Sequence, residues 1–387
     1  MKKLTATLSG LGVWLAAAAN AQLTPGGIAM QPANSALAEE VHFFHNGILL
    51  PIITVISLFV LALLIWVVIR YNAKSSPEPR KFSHNTLIEI IWTGVPIIIL
   101  LIIALPSFEL LYKEDVTPDG KQVVVAGDGQ TVDFVFPNDF AESRMVSRRS
   151  HLQVALSDGS GDRLLRYRDD YRVEGFGDAE LVVSFETPPS SGERVIIRGG
   201  RSTQNVSGCP NMKRYFDACE KEIVMAPTMT IKAVGRQWGW NYSYPDFGDF
   251  EFLSDMATEE DSTPETYLLE VNNRVVVPVG ETIRITTTAS DVIHAWALPA
   301  FAVKVDAVPG RINETWFSAE REGVYYGQCS EICGVRHSYM PIAVEVVSRP
   351  AFEAWVDSQR ALAEMEPMFD TENIKLARSE DAGASAE

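Results

Sequence analysis

Cysteine and histidine are scarce in this chain, and their spacing excludes some functions. Four cysteines and six histidines occur among 387 residues. The sequence contains no Cys-x-x-Cys-His segment, which excludes a fused domain with a covalently attached c-type haem. No histidine lies between His151 and His294, so a metal site at Cys209 and Cys219 would lack an imidazole partner. In an oxidising compartment these two cysteines instead favour a disulfide.

Charged residues are absent from two long segments near the N-terminus, residues 47–69 and 90–108. The apolar core of a bilayer is about 30 Å thick and takes about 20 helical residues to cross, so both segments are long enough. Buried helices of a soluble protein are the alternative, but they rarely show two such runs in tandem. We therefore predict a two-helix transmembrane hairpin within residues 22–112, with helices at about 47–69 and 88–111.

Residues 1–21 have the pattern of a secretory signal peptide. Two lysines precede a short apolar core, and Ala19-Asn20-Ala21 offers a small-residue cleavage site. An uncleaved membrane helix is the alternative, but the apolar run is too short to span a bilayer. The loop at residues 70–81 holds four basic residues and one acidic residue, which places it on the cytoplasmic side. We therefore expect both termini on the periplasmic side of a bacterial inner membrane.

Alternation between apolar and polar residues replaces the long apolar runs beyond the second predicted helix. Short alternating runs rich in β-branched residues are typical of strands. Five such runs predict an all-β Greek-key sandwich over residues 227–348. They lie at residues 228–234, 267–271, 274–277, 282–286 and 342–347.

Two further regions flank this sandwich. Residues 116–226 contain strand-like runs of their own and predict a separate β-rich insert, for which the sequence indicates no role. Residues 350–387 are predicted to begin with a helix and, from Asp370, to continue as a disordered polar tail.

Acidic residues outnumber basic ones by 50 to 33, which gives a formal net charge of −17. Residues 227–348 alone hold 17 acidic and 8 basic residues. Such a surplus can serve solubility alone. It can also steer a basic partner protein electrostatically toward a docking surface.

The densest group of metal-binding side chains follows Gly327. Cys329, Cys333, His337 and Met340 fall within twelve residues, and His294 lies upstream of them. These soft and borderline donors favour copper over magnesium or calcium. A one-copper electron-transfer site needs a single thiolate, two imidazoles and a weak axial ligand. The additional thiolate therefore suggests two metal ions that share bridging sulfurs.

A disulfide between Cys329 and Cys333 is one alternative to copper, and a structural zinc site of two cysteines and two histidines is another. Met340 would be superfluous to zinc, whereas a thioether is a typical weak axial ligand of copper. Copper sites in Greek-key sandwiches also take one ligand from an upstream strand, as His294 would be, and the rest from one loop. The pattern therefore favours copper.

The loop Cys329-Ser330-Glu331-Ile332-Cys333-Gly334, with His337, Met340 and Pro341 in register behind it, resembles subunit II of haem–copper cytochrome c oxidases. The resemblance covers roughly residues 42–112 and 227–348, and it implies a cupredoxin-like fold for the sandwich. Five more segments carry it: residues 89–93, 237–242, 292–296, 309–311 and 325–328.

The resemblance implies a dinuclear CuA centre with two copper ions. Its ligands in this sequence would be the bridging Cys329 and Cys333, the terminal His294 and His337, the weak ligand Met340 and the backbone carbonyl of Glu331. The side chain of Glu331 would contribute to a magnesium site shared with subunit I, because a hard cation prefers oxygen ligands.

Trp238 matches the family's exposed tryptophan, through which electrons enter from cytochrome c. Without the resemblance, an ordinary core aromatic would be the simpler interpretation. The surrounding segment departs from the family pattern. Gly239 stands where an aromatic residue is usual, and Arg236 stands where a histidine is common.

Three acidic residues, Asp246, Asp249 and Asp291, are expected from the resemblance to help dock a lysine-rich cytochrome c. Single exposed carboxylates are more often plain solvated charges, so the alternative stays open. Glu89, at the start of the second predicted helix, matches the acid at the mouth of a proton pathway known as the K channel. Alternatively, the carboxylate of Glu89 stabilises the N-terminus of the helix.

The resemblance thus implies the electron-accepting subunit of a bacterial respiratory cytochrome c oxidase. Such a subunit takes electrons from cytochrome c and passes them to haem in subunit I, which also holds CuB. There oxygen is reduced to water and protons are pumped. Subunit III is a further expected partner, whereas nucleic acid is not.

Two other functions are compatible with parts of the pattern. A quinol oxidase subunit keeps the fold but loses the copper ligands, which are intact in this sequence. A membrane-tethered periplasmic copper-binding or copper-delivery protein would have the ligands. On that interpretation the helical hairpin, Glu89 and the segment around Trp238 are unexplained.

Overall fold

The structure is a computed structural model that describes residues 29–72, 84–138, 151–158, 162–200, 203–205 and 221–369. Three predictions lie outside the described residues: the signal peptide, the Cys209–Cys219 disulfide and the polar tail beyond residue 369.

Two long apolar helical segments open the described chain. The first consists of α1 (Ala36–Phe43), a π-helical stretch (Phe44–Leu49) and α2 (Leu50–Arg70). The second is α3 (Thr86–Asp115). Both are long and apolar enough to cross a membrane. The first segment begins well before the expected residue 47, because its first turns contain charged residues that the uncharged run excluded.

A polar side chain caps the N-terminus of each helical segment by accepting a hydrogen bond from a backbone N–H group. Ser35 Oγ accepts a hydrogen bond from Ala38 N at 3.0 Å. Asn85 Oδ1 accepts one from Ile88 N at 3.2 Å, while Asn85 N donates to Glu89 Oε1 at 3.1 Å. These bonds satisfy donors that have no partner within the helix and define where each helix begins.

The region between α3 and the sandwich forms a small β module with its own core. One sheet has the order β1-β7-β3-β4 and another has the order β2-β6-β5, while β8 and β9 pair separately. Apolar side chains such as Leu181, Val183, Val195 and Ile197 fill the space between the sheets. The strands are β1 Lys121–Ala126, β2 Asp133–Pro137, β3 Leu152–Ser157, β4 Asp162–Leu164, β5 Tyr171–Glu174, β6 Glu180–Phe185, β7 Arg194–Gly199, β8 Thr203–Asn205 and β9 Lys221–Ile223.

The following domain is a β-sandwich. A five-stranded sheet has the order β12-β11-β10-β14-β17, a three-stranded sheet has the order β13-β19-β18, and β15 and β16 form a separate pair. The strands are β10 Met229–Arg236, β11 Gly239–Tyr244, β12 Phe250–Ser254, β13 Val275–Pro278, β14 Thr282–Ala289, β15 His294–Leu298, β16 Val303–Ala307, β17 Asn313–Ser318, β18 Gly323–Gln328 and β19 Pro341–Val347. Helix α4 (Arg349–Leu362) packs against β13.

The strand predicted at residues 267–271 is wrong. This segment forms turns, in which Leu269 N and Glu270 N both donate to Thr266 O at 2.9 Å. Thr263 and Thr266 also hydrogen-bond each other through their side chains, at 3.1 Å. Local bonds of this kind compete with a strand for the backbone groups, so apolar alternation alone was misleading.

The helices are attached to the sandwich at their shared end. Asn34 N donates to Ala300 O at 2.7 Å, and Asn34 Nδ2 donates to Arg321 O at 3.1 Å. Trp316 Nε1 donates to Lys113 O of α3 at 3.2 Å. Lys113 Nζ in turn lies 2.7 Å from a carboxylate oxygen of Glu40 in α1. Both helical segments are therefore tied to the β-sandwich by hydrogen bonds as well as by chain connection.

The Phe301→Ala variant is expected to lower the free energy of unfolding by about 3–5 kcal/mol, because it leaves a cavity in the core. Phe301 is fully buried and stacks on Phe317 with ring centroids 4.7 Å apart. Urea denaturation of the full chain in detergent, followed by tryptophan fluorescence, measures the loss. Leu253→Ala is the control, since Leu253 is 51% exposed. A change of at most about 0.5 kcal/mol is expected there. Equal losses in both variants would contradict this assignment of the core.

Candidate metal centre

The metal-binding side chains come from two places that the fold brings together. His294 is the first residue of β15, and the others lie in the loop between β18 and β19. The loop is closed at its base, where Cys329 N donates to Met340 O at 3.0 Å. Ser330 N donates to Ala295 O at 3.1 Å and so attaches the loop to β15.

Four further donor groups lie around the two thiols. Cys329 Sγ and Cys333 Sγ lie 3.8 Å apart and are not joined in a disulfide. Cys329 Sγ lies 3.9 Å from His294 Nδ1 and 3.4 Å from the carbonyl oxygen of Glu331. Cys333 Sγ lies 3.5 Å from His337 Nδ1 and 4.0 Å from Met340 Sδ. The structure thus brings together every residue that the sequence suggested as a copper ligand.

Most of the centre is shielded from solvent, whereas His337 and Glu331 at its outer side are partly exposed. His294 is fully buried, and Cys329, Cys333 and Met340 are each at most 5% exposed. Among the residues that the structure describes, His294, Cys329 and Cys333 form the group able to hold a metal ion, with ligand atoms within 4.8 Å of one another. This set of thiols, imidazoles and a thioether suits copper better than a hard cation.

The two thiols differ in acidity because burial dominates at Cys333, whereas hydrogen bonds dominate at Cys329. Burial raises the pKa of the Cys333 thiol to about 12, and negative charge on Cys329 adds to the rise. Burial acts on Cys329 in the same direction, but its hydrogen bonds with His294 and with the backbone outweigh it and lower the pKa to about 6. A metal ion needs both sulfurs as thiolates, so its binding displaces the proton that Cys333 retains.

Trp238 lies beside the loop that carries the thiols. It is partly buried and packs against the core of the sandwich. A Cβ on Gly334 would lie 3.1 Å from Trp238 Cζ2, and Gly334 has a φ of +125°. Only glycine readily combines this backbone conformation with so close an approach of the indole. Trp238 is therefore in contact with the residue that follows Cys333.

The two departures from the family pattern near Trp238 are connected through Asp255. Arg236 Nη2 lies 2.6 Å from Asp255 Oδ1. A Cβ on Gly239 would overlap that same carboxylate oxygen and would lie 3.1 Å from Arg236 Nη2. The ion pair thus occupies the space that a side chain at residue 239 would need. Sequence inspection overlooked Asp255, because no local pattern links it to Arg236.

The three predicted docking acids occupy different places. Asp291 contacts His294 Nε2 at 2.9 Å. Asp246 follows β11 and accepts a hydrogen bond from Thr230 N at 2.6 Å, and Asp249 lies in the next turn. Trp238 precedes β11, so the six residues of that strand separate it from Asp246 by about 20 Å. The structure therefore does not gather the three carboxylates around Trp238.

Gln237 is a further residue that sequence reasoning missed. Its backbone N donates to Asp291 Oδ2 at 2.7 Å, and its side-chain Nε2 donates to Cys333 O at 2.7 Å. Its position next to Trp238 was the only signal for it in the sequence. Glu331 is partly exposed, and Glu89 lies at the other end of the molecule, in the first turn of α3.

Comparison with known proteins agrees with this architecture. A family model described as cytochrome C oxidase subunit II, periplasmic domain, matches residues 229–347. A second, described as the transmembrane domain of the same subunit, matches residues 23–110. The second match includes most of both apolar helical segments, so the chain is a membrane protein with two spans. The predicted fold class, a helical hairpin followed by a β-sandwich, is confirmed.

Relatives are similar over nearly the whole chain. A probable cytochrome c oxidase subunit 2 of Rickettsia bellii is 37% identical over 372 residues, which is 96% of each chain. Cytochrome c oxidase subunit 2 of Cereibacter sphaeroides is 30% identical and covers 87% of this chain and 81% of its own length.

A solved structure of the periplasmic domain of subunit II of cytochrome oxidase from Bradyrhizobium japonicum is 54% identical. It covers 36% of this chain and 97% of its own length, with a TM-score of 0.34. Because the relatives match in both the membrane hairpin and the β-sandwich, the chain belongs to the cytochrome c oxidase subunit II family.

Proposed function

We propose that this chain is the electron-accepting subunit of a respiratory cytochrome c oxidase. It takes electrons from cytochrome c and passes them to the haem of subunit I, where oxygen is reduced to water and protons are pumped. The observation that carries the proposal is the convergence of two thiols, two imidazoles, a thioether and a carbonyl on one point of the fold. Family membership supports the assembly with other oxidase subunits.

The donor set fits two copper ions. Cys329 and Cys333 would hold both, with His294, His337, Met340 and the carbonyl of Glu331 as the remaining ligands. Bound there, a copper pair would supply one-electron redox chemistry, with the charge spread over both ions. The chain's own part is to keep these groups in fixed positions, since they lie on a strand and on a closed loop.

Attachment of the sandwich to the membrane helices supports electron transfer to a partner in the bilayer. Asn34 and Trp316 bond the sandwich to the ends of the two helical segments, and the Lys113–Glu40 ion pair ties those segments to each other. Since both segments span the membrane, these contacts orient the metal centre relative to the bilayer. Transfer to a membrane-embedded haem requires a fixed orientation of this kind.

A magnesium ion at the interface with subunit I is also part of the proposal, with the side chain of Glu331 as its ligand. A carboxylate oxygen is a suitable donor for a hard cation. Glu331 would then serve copper through its backbone and magnesium through its side chain.

The surplus of acidic residues supports docking of a basic cytochrome c. Charges of one sign around a docking surface raise the rate of encounter at low ionic strength. The screening length is about 30 Å at 0.01 M salt, so Asp246 and Asp249 contribute from the far end of β11. We place the docking surface in the periplasm together with both termini of the chain.

Full-length chain loaded with copper is expected to turn purple and to hold two copper ions. Atomic absorption and electron paramagnetic resonance measure this directly. Cys333→Ser is expected to lose the shared-electron spectrum, because one bridging sulfur is removed. Ser330→Ala is the matched control, since Ser330 Oγ is exposed and donates to Gln328 O. A colourless product with a single metal ion would contradict the dinuclear assignment and favour a copper-delivery or zinc protein.

Trp238→Phe is expected to slow electron transfer from cytochrome c by about ten-fold or more, because a large aromatic anchor of the docking surface is truncated. Its copper spectrum should stay unchanged, since Trp238 provides no ligand atom. Stopped-flow oxidation of reduced cytochrome c by the assembled oxidase measures the rate. Trp66→Phe, on α2 and 59% exposed, is the control. Equal rates for Trp238→Phe and wild type would remove Trp238 from the electron path.

Glu89 is proposed as the carboxylate where protons enter from the cytoplasmic side, and the Glu89→Gln variant separates this role from helix capping. Gln keeps an oxygen that can accept the hydrogen bond from Asn85 N, but it cannot be ionised. We expect slower turnover and slower proton uptake in Glu89→Gln oxidase, measured with a pH indicator in vesicles. If only Glu89→Ala is impaired, Glu89 acts as a helix cap.

A further inference from the structure

The connection between β10 and β11 is hydrogen-bonded through Gln237 to the loop at residues 329–340, which carries the thiols. It consists of Gln237 and Trp238, and Gln237 Nε2 donates to Cys333 O at 2.7 Å. The same residue's backbone N donates to Asp291 Oδ2 at 2.7 Å. Gln237 therefore touches both regions that supply metal-binding side chains, and it is the immediate neighbour of Trp238.

Asp291 continues this connection to a ligand. Its Oδ1 lies 2.9 Å from His294 Nε2 and accepts a hydrogen bond from Val292 N at 2.6 Å. Both carboxylate oxygens of Asp291 are thus engaged within the fold. The other ring nitrogen, His294 Nδ1, faces Cys329 Sγ. Bonding of Nε2 to a carboxylate leaves Nδ1 without a proton and free to bind a metal.

Gly235 and Trp240 also pack against the ring of His294. A Cβ on Gly235 would lie 2.7 Å from His294 Cδ2, so glycine is needed there. The ring of Trp240 lies edge-on, with centroids 6.0 Å apart. Packing therefore limits how the imidazole tilts, while Asp291 determines which nitrogen faces the sulfurs.

We propose that Gln237 and Asp291 are positioning residues that form a brace between Cys333 and His294 and hold Trp238 in place against the same loop. The inference rests on the proposed copper function. The brace consists of the hydrogen bonds from Gln237 to Cys333 O and to Asp291, and the contact of Asp291 with His294. It gives Asp291 a role at the copper centre.

The brace has a direct electrostatic consequence. A carboxylate bonded to a metal-binding imidazole makes that imidazole a stronger donor and stabilises the more positive, oxidised state of the centre. Removal of the charge at residue 291 therefore raises the reduction potential. An acid that acts only in docking would leave the potential where it is.

Asp291→Asn in the full chain, assembled with its partner subunits, tests the inference. Asparagine has a single acceptor oxygen, so its amide group must oppose the N–H of either Gln237 or His294. We expect a higher reduction potential, altered hyperfine splitting in the electron paramagnetic resonance spectrum, and about 10- to 100-fold weaker copper retention against a chelator. Glu251→Gln is the charge-matched control, because Glu251 hydrogen-bonds Asn241 on β11.

Gln237→Met tests the other half of the brace. Methionine has a similar length but no donor for Cys333 O, while the backbone bond to Asp291 is retained. Electron transfer from cytochrome c should slow down, with a smaller change in potential than in Asp291→Asn. If wild type holds the copper pair but Asp291→Asn matches Glu251→Gln in potential, spectrum and copper retention, the brace is refuted. If wild type itself holds no copper pair, it is the proposed function that fails.

Discussion

The close approach of β15 and β18 is the constraint on which the metal centre depends. A Cβ on Gly327 would overlap the carbonyl oxygen of Ala297, so the two strands can only meet at this distance with glycine at that position. Their contact brings His294, at the start of β15, to the loop that follows β18. The hydrogen bond from Ser330 N to Ala295 O then keeps the loop in register with the strand. Without this approach the histidine and the thiols would belong to different parts of the sandwich.

Burial and the neighbouring polar groups together determine how acidic the side chains of the centre are. Burial raises the pKa of Cys333, whereas hydrogen bonding lowers that of Cys329. The Cys329 thiol therefore loses its proton readily, whereas the Cys333 thiol keeps its proton until a metal ion displaces it. Asp291 and Cys329 on either side of His294 together raise its pKa against the opposing effect of burial. The imidazole is thus held between two negative groups, an arrangement that also favours a bound cation.

Several features were readable from short stretches of sequence because their cause is local. Absence of charge over a helix-length run predicts a membrane span, and a set of soft donors predicts the kind of metal. The family, which the loop motif indicated, is confirmed by the family models and the relatives, and the fold class is confirmed by the helical hairpin and the β-sandwich. Local pattern failed at residues 267–271, where threonine side chains and turn hydrogen bonds take the backbone groups that a strand would need.

Other features depend on contacts between residues far apart in the chain, and only the folded molecule decided them. Asp291 resembled a docking acid but lies against His294, while Asp246 and Asp249 lie beyond the opposite end of β11. Arg236 and Gly239 looked like two separate departures, yet Asp255 connects them. Composition and spacing determined which chemical groups this protein possesses. Which group each one faces was decided by the pairing and close packing of strands, because a side chain's partner depends on how distant segments meet.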